Sequence, residues 1–235
     1  MVGLFSGCVG GNKGKDAWDF AKLREKMVEQ QIERRGIKDK SVLKAMRTVE
    51  RHRFVPEAQQ SSAYNDYPLP IGEGQTISQP YIVALMTQLL ALDKKDTVLE
   101  VGTGSGYQAA VLAELAKEVY TIEIIEPLGK SAQIRLKDLN YDNVEVRIGD
   151  GYAGWPEHAP FDGIIVTCAC PSAPKPLVEQ LAEGGRMVIP IGGSLSYQMM
   201  TLFEKRDGLL HKKEISGCVF VPLLGPHGWQ TERGD

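Results

Sequence analysis

The sequence predicts an α/β fold, a doubly wound and mostly parallel sheet with an N-terminal helical cap and a C-terminal β-hairpin. Three observations lead there. From Thr97 onward, short apolar runs alternate with amphipathic stretches, the pattern of a parallel sheet covered by helices on both faces. A glycine-rich turn, Gly102 to Gly106, joins the first of those runs to a helix. An acidic residue, Glu123, ends the next strand roughly 20 residues later, a Rossmann-like spacing.

Taken in order, residues 1–15 are rich in Gly and Lys and read as a flexible N-terminal extension. A helix is expected from about Asp16 to Arg35, where Phe20, Leu23, Met27, Val28 and Ile32 recur at helical steps and Gly36 stops the run. A second, short helix is expected from Ser41, as N-cap, to Val49. Phe54 to Gln79 is punctuated by Pro56, Pro68, Pro70, Gly72 and Gly74 and reads as a functional loop. Pro80 suits the first turn of the next helix, with Ser78 or Gln79 as cap, and that helix carries Ile82, Val83, Leu85, Met86, Leu89 and Leu90. Strands are then expected at Val98–Val101, Val119–Ile122, Val144–Ile148, Gly163–Thr167 and Arg186–Ile191. Helices are expected at Ala109–Ala116, Pro127–Asn140 and Pro174–Leu181. Tyr197–Lys205 and Leu210–Val221, joined around Asp207-Gly208, read as a hairpin closing the sheet edge. The result is one domain over 16–235: a cap and loop at 16–96, an α/β core at 97–191, and the hairpin and tail at 192–235.

Composition agrees with a globular chain. Among 235 residues, 43% are hydrophobic and 24% charged, which excludes a coiled coil, a collagen-like repeat and a mostly disordered chain. A formal charge of -3 leaves no basic excess for phosphate contacts, so no nucleic-acid partner is expected. No run approaches the ~18 apolar residues of a membrane span, and Met1–Cys8 is too short for a signal segment. A cytoplasmic monomer is expected. The 4 Cys do not form a disulfide framework at this length. Cys168 and Cys170 read either as a metal or redox pair or as two small half-buried side chains. The second reading is favoured, because no further ligand pair stands near them and His is scarce; no metal is expected.

The chemistry concentrates in Glu100-Val101-Gly102-Thr103-Gly104-Ser105-Gly106. Its glycines let the backbone approach a ligand closely where a strand feeds a helix. Two ligand classes use such a turn. A dinucleotide wants G-x-G-x-x-G, but the last position of that pattern is Tyr107 here. Gly at 102, 104 and 106 after Glu100 instead resembles the motif of class I S-adenosylmethionine-dependent methyltransferases. Glu123, beside Ile124, can accept both hydroxyls of a ribose. Gly149-Asp150-Gly151 follows another strand. It is first of all a turn signal, but on the same sheet edge Asp150 and Gly151 can meet an adenine edge.

Pro70-Ile71-Gly72-Glu73-Gly74-Gln75-Thr76-Ile77-Ser78-Gln79-Pro80 resembles the signature of the protein-L-isoaspartate (D-aspartate) O-methyltransferase family. Further matching stretches are Glu29-Gln30-Gln31-Ile32, Arg53-Phe54-Val55-Pro56, Val98 to Tyr107, Gly149 to Tyr152, Ala159 to Asp162 and Phe220 to Leu223. The likeness spans nearly everything beyond the first fifteen or so residues. It implies transfer of a methyl group from S-adenosyl-L-methionine, leaving S-adenosyl-L-homocysteine, to the free α-carboxylate of L-isoaspartyl residues in damaged proteins and peptides. The ester then passes through a succinimide back toward normal aspartyl, a protein repair. Such a carboxylate is ionised at neutral pH, so neither a general base nor a metal is required.

By the same resemblance Ser78 is the active-site serine, holding the substrate carboxylate, while as a residue it could simply cap the helix at Pro80. Thr76, Ile77 and Ser78 would close over the cofactor. Glu100, Gly102, Thr103, Gly104, Ser105 and Gly106 would form its turn, with Glu123, Ile124, Asp150 and Gly151 holding the ribose and adenine. Val221 would offer backbone hydrogen bonds to the substrate peptide. The Pro- and Gly-rich 68–80 loop and the tail Gly225-Pro226-His227-Gly228-Trp229 would thereby bracket the substrate. Cys168 and Cys170 depart from the family, which usually has small residues there. Leu224 stands where some members carry Thr, so no role passes to it.

Overall fold

The computed structural model describes residues 18–193 and 197–226. The expected extension at 1–15, Cys8 and the tail from His227 lie outside the described residues. Within them, helix α1 (Phe20–Met27) starts after Asp19, whose carboxylate accepts from the Lys22 N–H. The expected single helix to Arg35 is instead three pieces. After α1 the chain widens into a π-helical stretch, Val28–Ile32, then tightens into a 3-10 turn, Glu33–Arg35, stopped by Gly36 at φ 99°. The widened stretch buries Val28 and Ile32, while Gln31 donates to the Tyr64 carbonyl at 3.1 Å. Helix α2 (Lys40–Thr48) is capped by Asp39 rather than Ser41. A carboxylate at that place reaches the N–H groups of both Ser41 and Val42, at 2.8 and 3.1 Å, and so wins the cap.

The expected loop from Phe54 to Gln79 holds more order than its prolines suggest. Short 3-10 turns at Arg51–Phe54 and Glu57–Ser62 precede a small antiparallel hairpin, β1 (Leu69–Gly72) with β2 (Gln75–Ile77). Its turn puts Gly72, Glu73 and Gly74 all at positive φ, 98°, 51° and 70°, a geometry that glycine supplies at little cost. Helix α3 (Pro80–Leu90) follows, with Pro80 in its first turn and Gln79 as N-cap.

The core sheet contains β3 (Thr97–Val101), β4 (Glu118–Glu123), β5 (Val144–Ile148), β6 (Phe161–Val166), β7 (Leu181–Gly192), β8 (Gln198–Arg206) and β9 (Leu209–Cys218). Helices α4 (Tyr107–Ala113), α5 (Glu126–Asp138) and α6 (Lys175–Gln180) connect the parallel strands. The strand order is β5-β4-β3-β6-β7-β8-β9, parallel from β5 to β7 and antiparallel thereafter. Order reverses beside β3, so the crevice outside its carboxyl end is the natural ligand position. Strand β7 starts at Leu181, five residues before the expected Arg186, although Gly184 sits at φ 80°. Strand β9 ends at Cys218, and Val221 lies beyond it. The β8–β9 turn has Asp207 and Gly208 both at positive φ, the twist that a two-residue hairpin needs.

Both faces are buried. Neighbouring strand residues point opposite ways, so Val98, Ile165 and Val188 pack under the helical cap while Leu99, Ile164 and Met187 pack on the other face. The expected doubly wound α/β fold with a helical cap and a terminal hairpin is therefore the one found. No described helix is long and apolar enough to cross a membrane.

Candidate active site

The glycine turn is shaped by places where a side chain would not fit. Gly102 has φ 97°, and a Cβ there would stand 2.4 Å from Thr167 Oγ1. That hydroxyl instead donates to the Val101 and Gly102 carbonyls, at 3.0 and 2.7 Å, tying β3 to the end of β6. Gly151 comes as near on another side: its Cβ would meet Val101 Cγ1 at 2.5 Å. Gly104, at φ 53°, donates its N–H to Glu123 Oε2 at 2.7 Å. Glu123 Oε1 accepts from the Ile125 N–H at 2.9 Å, so the carboxylate is fixed at the mouth of the turn.

Glu100 lies deeper. It is fully buried; Thr121 Oγ1 donates to its Oε2 at 2.6 Å, and Thr103 Oγ1 stands 2.7 Å from the Thr121 hydroxyl. Its Oε1 has no hydrogen-bond partner. Burial, with the Glu123 charge added, pushes this carboxyl up to about 8. A buried oxygen lacking a donor costs stability unless a ligand supplies one.

These residues wall a cavity of about 780 Å³. Of the residues singled out from the sequence, Thr76, Ile77, Ser78, Glu100, Gly102, Thr103, Gly104, Ser105, Glu123, Ile124, Gly151 and Val221 line it. Gly106 and Asp150 do not. Gly106 initiates α4 at φ 86° and lies against Leu136, while the Asp150 carboxylate accepts from the Tyr152 N–H beside the wall. Sequence reasoning missed Gln75, Val83, Gln108, Thr167, Pro222 and Leu223, which also line it, and Leu224, to which no role was passed, lines it too. Thr167 was within reach of inference, since it directly follows β6 on the same edge. The departures Cys168 and Cys170 are both buried, with Cys168 on the wall. Burial holds both thiols protonated, Cys170 pushed up to about 12. Among the described residues no group of three or more His, Cys, Asp and Glu is placed to hold a metal ion.

A second hollow, of about 1730 Å³, adjoins the first, and Thr76, Ser78, Thr167, Val221 and Pro222 line both. Ser78 thus stands where the two meet. Its side chain does not cap α3, and its hydroxyl bonds nothing else described. The cap alternative is removed. On the facing segment the Val221 carbonyl accepts from Ala169 N at 2.8 Å and the Leu223 N–H donates to the Ala169 carbonyl at 2.9 Å. The Val221 N–H stays free of any described partner.

Charge separates the two hollows. Among described residues the first is lined by two acidic side chains, Glu123 and the protonated Glu100, and by no Lys, Arg or His. That suits a ligand that is cationic and lacks phosphate; a pyrophosphate would find no cation there. S-adenosylmethionine fits on these grounds. The glycine turn admits a close-lying ligand, Glu123 can take hydroxyls, and the orphaned Glu100 oxygen can take an ammonium.

Comparison with known proteins agrees with this geometry. The family model described as protein-L-isoaspartate(D-aspartate) O-methyltransferase matches residues 22–228. The protein-L-isoaspartate O-methyltransferase 1 of Nitrosospira multiformis is 56% identical over 227 residues, covering 95% of each chain. That of Opitutus terrae is 59% identical over 200 residues, 85% of this chain and 86% of its own. Among solved structures, a protein-L-isoaspartate O-methyltransferase superposes with a TM-score of 0.80 at 32% identity, over 87% of this chain and 67% of the other. A Plasmodium falciparum chain assigned to the same activity, in complex with S-adenosyl-L-homocysteine, gives 0.74 at 28% identity, over 86% and 98%. With a matching family model over most of its length and relatives this similar end to end, the chain belongs to the protein-L-isoaspartate(D-aspartate) O-methyltransferase family.

Proposed function

We propose that this chain is an S-adenosylmethionine-dependent carboxyl methyltransferase that esterifies the α-carboxylate of L-isoaspartyl residues in damaged proteins and peptides. The observation that carries the reading is the shared lining. Ser78 faces both a cavity suited to a cationic nucleoside and an adjoining groove wide enough for a peptide.

When bound, the cofactor supplies a methyl group activated by an adjacent sulfonium. The rest falls to the chain. Glu123 keeps an unused lone pair on each oxygen and takes the ribose hydroxyls. Glu100 meets the aminoacyl ammonium through Oε1. Gly102, Thr103, Gly104 and Ser105 shape the turn around that end, with Gly106 setting the start of α4. Ile124 and Gly151 flank the base, and Asp150 reaches its edge from beside the wall. Thr76 and Ile77 close over the ligand from β2.

The Ser78 hydroxyl donates to one carboxylate oxygen of the substrate and aims the other along the line to the methyl carbon. Catalysis is then placement and charge attraction, with no proton to remove and no metal called for. The free Val221 N–H takes a backbone carbonyl of the peptide, which leaves flanking side chains largely unread. The protein partners are isoaspartyl-containing chains. A cytoplasmic monomer completes the reading; the absence of a basic excess supports its having no nucleic-acid partner.

The test is a pair of peptides differing only in isoaspartyl against aspartyl linkage, incubated with labelled S-adenosylmethionine. Base-labile label on the isoaspartyl peptide alone is expected. Equal labelling of both removes the substrate assignment.

A further inference from the structure

We propose that Arg35 is a specificity residue that reads a second anionic group on the peptide, so that isoaspartyl sites near an acidic side chain are methylated in preference to those near a basic one. The inference rests on the methyltransferase reading above. Among described residues, Arg35 is the only charged side chain lining the second groove, whose other walls are neutral. It does not line the first cavity. The carboxylate assigned to it is a second one on the peptide, distinct from the one assigned to Ser78.

Arg35 is pre-organised for that role. Its guanidinium lies over the Tyr81 ring, 3.5 Å from the centroid, and Nη1 stands 2.5 Å from Asp66 Oδ2. Asp66 is itself anchored: Oδ1 accepts from the Tyr81 N–H at 3.4 Å and its carbonyl accepts from Gln79 Nε2 at 3.0 Å. Stacking and ion pairing fix the plane of the fork before a ligand arrives, which lowers the ordering cost of binding. Only Nη1 is engaged by a side chain, and Nε and Nη2 donate to nothing described. Two N–H groups on a fixed plane are what a carboxylate accepts. The side chain is 43% exposed and Asp66 offsets part of its charge, so the preference is moderate and sensitive to salt.

The experiment uses capped isoaspartyl peptides, blocked at both ends so that no chain terminus adds charge, with Glu, Gln or Lys placed in turn at each flanking position. Competing peptides in one reaction give ratios of kcat/KM. At one or more positions Glu is expected to exceed Lys by roughly three- to tenfold, through KM, with the ratio shrinking as salt rises. In Arg35→Gln that ratio falls toward one, and in Arg35→Glu it inverts. Because each ratio comes from a single preparation, a general loss of folded enzyme cancels. A wild-type ratio near one at every position, or a ratio that survives in Arg35→Gln, overturns the proposal. Failure of every isoaspartyl peptide to be methylated instead overturns the reading beneath it.

Discussion

The two hollows that meet at Ser78 are opposite in charge and built differently. Among described residues the cofactor cavity is lined by two acidic side chains and no cation, and the groove proposed for the peptide by one cation and no acidic side chain. The first is held by buried bonds and by glycines where a Cβ would collide, as at Gly102 and Gly151. The second is walled in part by the β2–α3 junction and by the segment beyond β9, where Val219 is 86% exposed. On the proposed reading, the closely fitted glycine geometry serves the one ligand that recurs at every turnover, and the more exposed segment serves the partner that changes. Damage to the first wall should read as lost binding, and damage to the second as lost turnover or selection.

The largest effect that tests this contrast is Gly102→Ala. A methyl 2.4 Å from Thr167 Oγ1 at φ 97° is expected to cost about 2–5 kcal/mol of stability. Binding of S-adenosylhomocysteine should weaken by at least about 100-fold in calorimetry. A folded variant that binds normally would break the comparison. Next is Ser78→Ala, for which transfer should fall roughly 10- to 1,000-fold, or about 1.4–4 kcal/mol, while affinity for S-adenosylhomocysteine changes by less than about threefold. Loss of both together would place Ser78 with the cofactor wall.

Glu100 gives a pH dependence of definite sign. Its carboxyl, raised to about 8 in the folded chain, binds a proton that the unfolded chain has already released from about 4.5 upward. The folded state therefore holds more protons across that interval, and this group's contribution to stability falls as pH rises from about 4.5 to about 8, then levels. Urea melts along that range should show the decline in the wild type and a flatter profile in Glu100→Gln. The smallest effects are expected at Val221. Val221→Ala should change kcat/KM by less than about twofold if, as proposed, the peptide meets its N–H. Val221→Pro, which removes that N–H, should lower kcat/KM by about tenfold, through KM.

Much of the core was legible because its signals are local. The strands from Thr97 on announce themselves as apolar runs, and Gly102, Gly104 and Glu123 have a spacing set by one turn and one helix. The cap was less legible. Proline at Pro70 argues against a strand, yet Leu69 pairs with Ile77 because the turn at Gly72–Gly74 returns the chain. A short hairpin with an unpaired outer edge tolerates the missing donor. The first helix breaks into α-, π- and 3-10 segments where Gln31 bonds the Tyr64 carbonyl, a partner far along the chain that no local period reports. Asp150 and Gly106 show a similar limit, since a residue can belong to a binding turn without facing the ligand space. The groove was least legible of all. Arg35, Asp66 and Tyr81 come from three separated segments, and only their meeting makes a recognition surface.

A crystal structure with S-adenosylhomocysteine and an isoaspartyl peptide bound together bears most directly on the lining the two hollows share. The nucleoside should lie against Gly102–Gly106 with its sulfur turned toward Ser78. The peptide should enter from the adjoining hollow, its α-carboxylate within hydrogen-bonding reach of the Ser78 hydroxyl. A peptide seated elsewhere, or a nucleoside outside the acid-lined cavity, would contradict the account.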